Sequence, residues 1–358
     1  MKKLTSLSCL AFLYAAASLP VAAHHSNAPH FDSTKPISIE GVVTEFQFVN
    51  PHAWVYLDVT GADGQVENWN CELSAASGYR RQGWTEELFA VGSVLKIDGI
   101  AARRDPLGCS YSSGTLADGT VVARGGQITN GEAVLSASVE NEVGESVDLT
   151  AMAGTWISTP RQRGGGGGGG APQSGDPAVR YADQVTEAGM TALLAYDQRF
   201  DDPALECSPS SITRGWSEPN GPSEFAETED QIVIRHEYMD TVRTVDLTTR
   251  THPANIEPSL TGHSVGWYEG DTLVIETVGF EEGVLVPHPG LVHSDEMKIV
   301  ERLTLAEEGN LLLRAYEVTD PKYFTKPYTG NSSWTRSDIP VSPYNCVELG
   351  GISNIRQD

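Results

Sequence analysis

Residues 297–305 have the sequence MKIVERLTL. Its side chains alternate in the pattern of a β-strand that has one buried face. A period of two puts the charged Lys298 and Arg302 on one face of this strand. Glu301 falls on the other face, together with the apolar residues Met297, Ile299, Leu303 and Leu305. The stretch therefore predicts a strand that points one carboxylate toward a protein interior.

Similar alternation on both sides of this stretch predicts an antiparallel sheet. The other strands are predicted at residues 231–238, 242–247, 264–268, 272–278 and 311–318, with Gly, Asp and Asn turns between them. Residues 187–196 have the clearest helical pattern in this half. Gly154-Thr155-Trp156 resembles the Gly-x-Trp start of lipocalin-like barrels. We therefore expect an antiparallel, lipocalin-like meander barrel with one or two short helices.

Three polar residues are predicted to point into this barrel. The same counting places Glu276 and His236, like Glu301, beside apolar neighbours on their strands. Burial in an apolar cavity raises the pKa of a carboxyl group and prepares it as an acid or base. Glu301, Glu276 and His236 are thus the candidate catalytic residues. The alternative is structural: Glu301 pairs with an interior arginine, such as Arg235 or Arg314.

The first half of the chain has the strand order of a second, smaller barrel. Strands are predicted at residues 37–43, 54–59, 65–71, 94–99 and 115–122, and a short helix follows Ser74, which is a suitable N-cap. Three strands, a helix and two more strands is the order of an OB-like five-stranded barrel. The fold class is therefore mainly β.

The N-terminus has the features of an export signal. Two lysines, an apolar run at residues 10–19 and the small residues Val21-Ala22-Ala23 predict a signal peptide over residues 1–23. The apolar run is too short to span a membrane as a helix. We expect a periplasmic or secreted protein that has no integral membrane segment after cleavage.

Length and charge limit the remaining possibilities. The 358 residues predict two domains, which we place at residues 24–150 and 151–358, with a glycine-rich insertion at 164–170. The formal net charge is −24. An acidic chain is a poor ligand for phosphate backbones, so nucleic acid is not an expected partner. The sequence leaves the oligomeric state open.

Four cysteines remain after the signal peptide, an even number that favours disulfides in an oxidising compartment. Of the three pairings that four cysteines allow, the domain division favours Cys71 with Cys109 and Cys207 with Cys346.

A cluster of histidines near the mature N-terminus predicts a metal site. Cleavage after residue 23 would give His24 a free α-amine, which can bind a metal together with its imidazole. His52 is the best candidate for a distant ligand, followed by His25 and His30. Nitrogen ligands of this kind suit copper or zinc. The alternative is that these histidines are solvated or structural.

Two parts of the chain resemble known exported domains. The His24-His25-Ser26 start and the Asn50-Pro51-His52-Ala53-Trp54 segment resemble a family of small exported bacterial domains of unknown function. The Gly270-Asp271-Thr272-Leu273 segment resembles a second exported bacterial domain of unknown function. These resemblances imply the fold and export of the protein, but they do not imply a catalytic activity.

Residues 262–266 match the Gly-x-Ser-x-Gly pattern of a hydrolase nucleophile. That pattern requires a turn from a strand into a helix, whereas the residues that follow predict another strand. The leading expectation is therefore an exported binding protein with copper or zinc at its N-terminus and a small ligand in its second domain. The first alternative is an acid/base enzyme of the second domain. The second alternative is a structural surface module.

Overall fold

A computed structural model describes residues 30–125, 128–129, 152–158, 176–216 and 221–348. The predicted signal peptide, His24, His25 and the glycine-rich insertion lie outside these residues.

The first part of the structure is a five-stranded ring, which we call the N-terminal ring. The ring order is β1-β2-β3-β5-β4, and it closes because β1 pairs with β4 and β3 pairs in parallel with β5. Its elements, with two short strands that extend the sheet, are β1 (Phe31–Gln47), β2 (Trp54–Thr60), β3 (Val66–Glu72), α1 (Ala76–Arg80), β4 (Val94–Ala102), β5 (Gly108–Leu116), β6 (Val121–Ala123) and β7 (Ile128–Thr129). This arrangement confirms the predicted OB-like fold.

The second part is a closed barrel of nine strands, which we call the C-terminal barrel, and it confirms the predicted fold. Its strand order is β10-β11-β12-β13-β16-β17-β18-β8-β9, and β14 and β15 form a separate hairpin. The strands are β8 (Gly154–Ser158), β9 (Pro222–Glu227), β10 (Gln231–His236), β11 (Val242–Asp246), β12 (His263–Glu269), β13 (Thr272–Val278), β14 (Gly283–Val286), β15 (Leu291–His293), β16 (Lys298–Ala306), β17 (Leu311–Thr319) and β18 (Tyr328–Ser337).

One strand pair in the barrel is parallel, in contrast to the all-antiparallel meander that we expected. Val245 of β11 and Ser264 of β12 are paired in a parallel register. A parallel pair needs a long connection. Residues 247–262 supply it, and they cross from the end of one strand to the start of the next.

Short helices occur in the second part of the chain. They are α2 (Pro177–Arg180), α3 (Glu187–Ala195), α4 (Gln198–Asp201) and α5 (Ile212–Gly215), and single 3-10 turns occur at Pro203–Glu206, Tyr238–Asp240 and Glu307–Gly309. Both α3 and α5 contact the β14–β15 hairpin. The α3 helix agrees with the prediction, and the Thr186 side chain caps it by accepting a hydrogen bond from the Gly189 amide. Among the described residues, no helix combines the length and apolarity that a membrane crossing requires.

Trp156 and Arg336 help to close the barrel where its first and last strands meet. Trp156 belongs to the Gly-x-Trp segment on β8 and is fully buried. The Arg336 guanidinium on β18 lies 4.4 Å from the centroid of the Trp156 ring, which is a cation–π distance. Arg336 also donates hydrogen bonds to the carbonyl oxygens of Ala153 and Gly309.

Both predicted disulfides are present. Cys71–Cys109 joins β3 to β5, and Cys207–Cys346 ties the last described segment to the loop before α5. That segment also contacts the ring, because the Val347 amide donates a hydrogen bond to the Asn50 carbonyl oxygen over 2.8 Å. The structure thus joins ring and barrel, while the exact domain boundaries at residue 150 stay a prediction.

The Cys207–Cys346 disulfide should be a large contributor to stability. It spans 139 residues, and closing so long a loop restricts the unfolded chain strongly. We expect the Cys207→Ser/Cys346→Ser variant to lose about 2–5 kcal/mol of unfolding free energy in urea titrations. A variant with an unchanged urea midpoint would contradict this role.

Candidate functional site

The main polar feature of the barrel interior is a carboxylate held by two arginines, which we call the Arg–Glu–Arg cluster. Glu301 on β16 is fully buried, and Arg243 on β11 and Arg314 on β17 are each only 2% exposed. Arg314 Nε donates to Glu301 Oε1 over 2.7 Å, and Arg243 Nη1 donates to Glu301 Oε2. Each carboxylate oxygen therefore has its own guanidinium partner.

Strand register brings these three residues together. Residues directly opposite each other on paired strands lie on the same face of a sheet. Arg243 lies opposite Ile234, and Arg314 lies opposite Leu303. Because Ile234 and Leu303 belong to the apolar core of the barrel, both arginines are directed into it.

The cluster has more donors and more positive charge than Glu301 can satisfy. Two guanidinium groups and one carboxylate leave an excess of one positive charge, because arginine keeps its proton in proteins. Among the described residues, no hydrogen-bond partner is found for Arg243 Nε, Arg243 Nη2, Arg314 Nη2 or the indole nitrogens of Trp216 and Trp334. Five buried N–H donor atoms are therefore unpaired in one region of the barrel.

Trp216 packs directly against the cluster. It follows α5, is 1% exposed and lies in edge-to-face contact with Trp334, with ring centroids 5.3 Å apart. The Arg314 guanidinium lies 5.0 Å from the Trp216 ring centroid. These indole rings exclude solvent from the charged groups and thereby strengthen their electrostatic interactions.

His236 lies beside the cluster and is uncharged near neutral pH. It is 3% exposed, and its Nδ1 is 2.6 Å from Ser223 Oγ. Burial, followed by the positive charges of Arg243 and Arg314, lowers the pKa of His236 to about 3. Gly215 permits this packing, because a β-carbon at that position would lie 2.8 Å from the His236 ring.

Glu301 is ionised, contrary to the expectation of a raised carboxyl pKa. Burial on its own raises the pKa of Glu301, but Arg243 and Arg314 outweigh burial and hold this pKa at about 2. A carboxylate that stays ionised with both oxygens bound is poorly suited to deliver or take up a proton near neutral pH. The pairing favours the structural alternative for Glu301, and a catalytic role stays a prediction.

The inward placement predicted for Glu276 is wrong. Ile275 lies opposite the inward Glu301, so Glu276 is on the outer face of β13. There its Oε2 is 3.3 Å from Lys298 Nζ. The period-two count failed on β13 because Leu273, Val274 and Ile275 are all buried. Three consecutive buried residues do not show which face of the strand points inward.

Of the two arginines predicted as partners for Glu301, Arg314 is correct and Arg235 is wrong. Arg235 follows the inward Ile234 and is about half exposed, with Nη1 3.6 Å from Glu224 Oε2. Arg243 takes its place and was missed. The period-two count applied to β11, where Arg243 precedes the buried Val245 by two positions, would have found it.

Two cavities formed by described residues lie away from the cluster. An open groove of about 460 Å³ lies at one barrel end and is lined by Glu227, Leu247, Arg250, Gly266, Trp267 and Tyr268, among others. A small cavity of about 40 Å³ is lined by His30, Trp54, Glu72 and Arg199, among others. Glu301 and His236 line neither cavity.

Ser264 lacks the setting of a hydrolase nucleophile. It lies within β12, which continues to Glu269 and is followed by another strand and not by a helix. Ser264 is 2% exposed, and its hydroxyl is 2.9 Å from the hydroxyl of Thr277.

The structure places two of the four predicted metal ligands in the N-terminal ring. His52 Nδ1 is 2.9 Å from Oε1 of Glu72, a buried carboxylate that the sequence analysis did not select. His30 lines the small cavity together with Glu72, and burial lowers the pKa of His30. His24 and His25 lie outside the described residues. Within the described residues, no group of three or more His, Cys, Asp or Glu side chains has the geometry of a metal site.

Comparison with known proteins gives a family match for the first part of the chain. Residues 13–108 match DUF6152, which is described as a family of unknown function. This agrees with the first of the two predicted resemblances. The second one stays a prediction. No curated protein matches the chain.

A crystal structure of a mutant of the fluorescent protein UnaG is among the solved structures that match. The sequence identity is 12%, and the match covers 52% of this chain and 97% of that chain, with a TM-score of 0.26. A likeness at this TM-score supports no inference about ligand or function.

Acid should destabilise the barrel in two pH ranges. As pH falls below about 6.5, unfolded His236 takes up a proton that the folded protein does not take up until about pH 3, so folding stability is lost between these values. Glu301 adds a second loss between about pH 4.5 and about pH 2. Each group contributes a slope of at most about 1.4 kcal/mol per pH unit.

The His236→Gln variant should lack the first of these losses, because glutamine does not titrate and can still bond to Ser223. Urea midpoints measured at about pH 7.5 and about pH 4.5 would show a smaller decrease for the variant than for the wild type. Equal decreases in both proteins would contradict a buried, neutral His236.

Proposed function

We propose that the protein is an exported binding protein whose C-terminal barrel holds a small organic anion between Arg243 and Arg314. The observation that supports the proposal is the excess positive charge and the unpaired donors of the Arg–Glu–Arg cluster. Export is supported by the two disulfides, which persist in oxidising compartments.

The energetic argument begins with the cost of burying polar groups. A buried donor without a partner costs about 1–3 kcal/mol, and a charged donor costs more. Trp216, which contacts Arg314, and Trp334, which contacts Trp216, add two neutral donors without partners. An anion would neutralise the excess charge and satisfy several donors at once, which a neutral ligand would not do.

A carboxylate is the anion whose shape suits the site best. Guanidinium groups bind carboxylates through two parallel hydrogen bonds, and Arg243 has two adjacent nitrogens, Nε and Nη2, that are unpaired. The barrel interior is otherwise filled by apolar core residues. A short aliphatic carboxylate therefore fits the proposal better than a long-chain one.

Two alternatives predict different behaviour. In the acid/base enzyme, Glu301 or His236 would contact a substrate, but Glu301 is ionised and bound on both oxygens, which leaves it no free oxygen for proton transfer. In the purely structural module, buried water would satisfy the free donors. If buried water satisfies these donors, added anions should bind no better than neutral solutes. Comparing the binding of anions and neutral solutes therefore separates this alternative from the proposal.

Short carboxylates should stabilise the protein against heat. At a concentration about 100 times the dissociation constant, binding adds about 2.7 kcal/mol, which is about 5–10 °C in melting temperature for a domain of this size. We expect acetate, propionate and butyrate at constant ionic strength to raise the melting temperature, and the matching amides to have no effect.

The Arg243→Lys variant should bind the same carboxylates at least about tenfold more weakly, because it keeps a positive charge beside Glu301 but loses the free guanidinium donors. Arg302→Lys is the matched control, since Arg302 is about half exposed and pairs with Glu269 outside the barrel. Equal melting shifts with carboxylates and amides, or an unchanged affinity in Arg243→Lys, would contradict the proposal.

We also propose copper or zinc binding at the N-terminal ring as a second function. His52 Nδ1 lies 2.9 Å from Glu72 Oε1, and His30 lines the same small cavity as Glu72, although these three side chains do not have metal-site geometry by themselves. The pKa of Glu72 is lowered despite its burial, chiefly by His52, so the carboxylate is ionised. In this proposal the α-amine and imidazole of His24 complete the ligand set.

Copper affinity should depend on the free α-amine of His24. Protein processed to begin at His24 should bind Cu(II) more tightly than protein with one extra alanine before His24, because the extra residue moves the amine away. Isothermal titration of both forms measures the difference. Equal affinities in the two forms would rule out this ligand set.

A further inference from the structure

A pair of histidines on the outside of the C-terminal barrel has a geometry that no predicted site includes. His252 lies in the connection after β11, and His263 begins β12. Their Nδ1 atoms are 2.9 Å apart, and their rings are nearly perpendicular, at 74°. We propose that His252 and His263 bind one divalent transition-metal ion through these two Nδ1 atoms.

The separation of the two nitrogens matches ligands of a common ion. Metal–imidazole bonds are about 2.0–2.1 Å long, so two such ligands at a right angle are about 2.9 Å apart, and at a tetrahedral angle about 3.3 Å apart. The observed distance is closer to the right-angle value. Tetragonal nitrogen sites favour Cu(II) and Ni(II) over Zn(II).

The far side of His252 has the partner that metal-bound histidines usually have. His252 Nε2 lies 3.5 Å from Glu276 Oε1, and the other oxygen of Glu276 lies 3.3 Å from Lys298 Nζ. A carboxylate near Nε2 favours the tautomer that has its proton there, so His252 Nδ1 accepts a hydrogen bond from His263 Nδ1, and a metal ion would take the place of that shared proton. Glu276 is therefore assigned as a positioning residue and not as a ligand.

A second carboxylate near the pair also favours a bound cation. The Asp246 carboxylate, whose Oδ1 accepts hydrogen bonds from Thr248, is close enough to interact electrostatically with His263.

The site would supply two protein ligands and leave other coordination positions to water or an exchangeable ligand. Two imidazoles agree with the finding that the described residues hold no group of three or more metal-binding side chains. The site is also separate from His30 and His52, which belong to the N-terminal ring. Mutation of the His252–His263 pair should therefore leave metal binding at the N-terminal ring unchanged, and mutation of the ring histidines should leave metal binding at the pair unchanged.

Equilibrium dialysis of the full-length processed protein against Cu(II), followed by metal counting, tests the proposal. His252→Gln and His263→Gln should each reduce the bound copper by one equivalent. His288→Gln is the matched control, because His288 lies elsewhere and contacts Gln198. Glu276→Gln should keep the stoichiometry but weaken the affinity by about 10–100-fold, which a merely structural role would not do.

Histidine modification of the unmutated protein provides a test that does not depend on variants that fold. Cu(II) should protect His252 and His263 from diethylpyrocarbonate. An unchanged copper count in well-folded His252→Gln and His263→Gln proteins, or no protection of the pair by Cu(II), would overturn the proposal.

Discussion

The buried contact of Glu301 with Arg243 and Arg314 is the constraint on which the C-terminal barrel depends. Three ionised groups are removed from water, and their mutual attraction offsets this cost only if all three stay in place. Removing one partner of a buried pair costs about 3–5 kcal/mol, because a charge is left uncompensated. The three residues lie on β11, β16 and β17, so the cluster forms only when these strands have their correct order and register. Trp216 and Trp334 complete the arrangement by covering the charges.

The same barrel contains two polar sites that differ in physical character. The interior cluster carries permanent charge in an apolar core, where a positive excess favours an anion. The histidine pair on the outer face is partly accessible, which suits a metal ion with exchangeable ligands. β13 contributes to both sites, since Ile275 packs inside the barrel while Glu276 faces His252 outside it. An anion and a metal ion could thus bind on opposite faces of one sheet.

Alternation along single strands was enough to predict much of the fold and part of the cluster. Glu301 and His236 were placed inward because β16 and β10 alternate clearly between buried and more exposed positions. Glu276 was misplaced because three consecutive buried residues precede it. The contact between His252 and His263 depends on the path of residues 247–262, and residue spacing along a chain does not determine such a path. The parallel pairing of β11 with β12 was missed for the same reason.

The central claim is that the two buried arginines hold an anion. The most direct measurement is a crystal structure from crystals grown with bromide, with anomalous diffraction to locate the ion. The account predicts an anomalous peak inside the barrel, within hydrogen-bond distance of the free nitrogens of Arg243 and Arg314. Density for ordered water alone at these nitrogens, with bromide bound only at the protein surface, would contradict it.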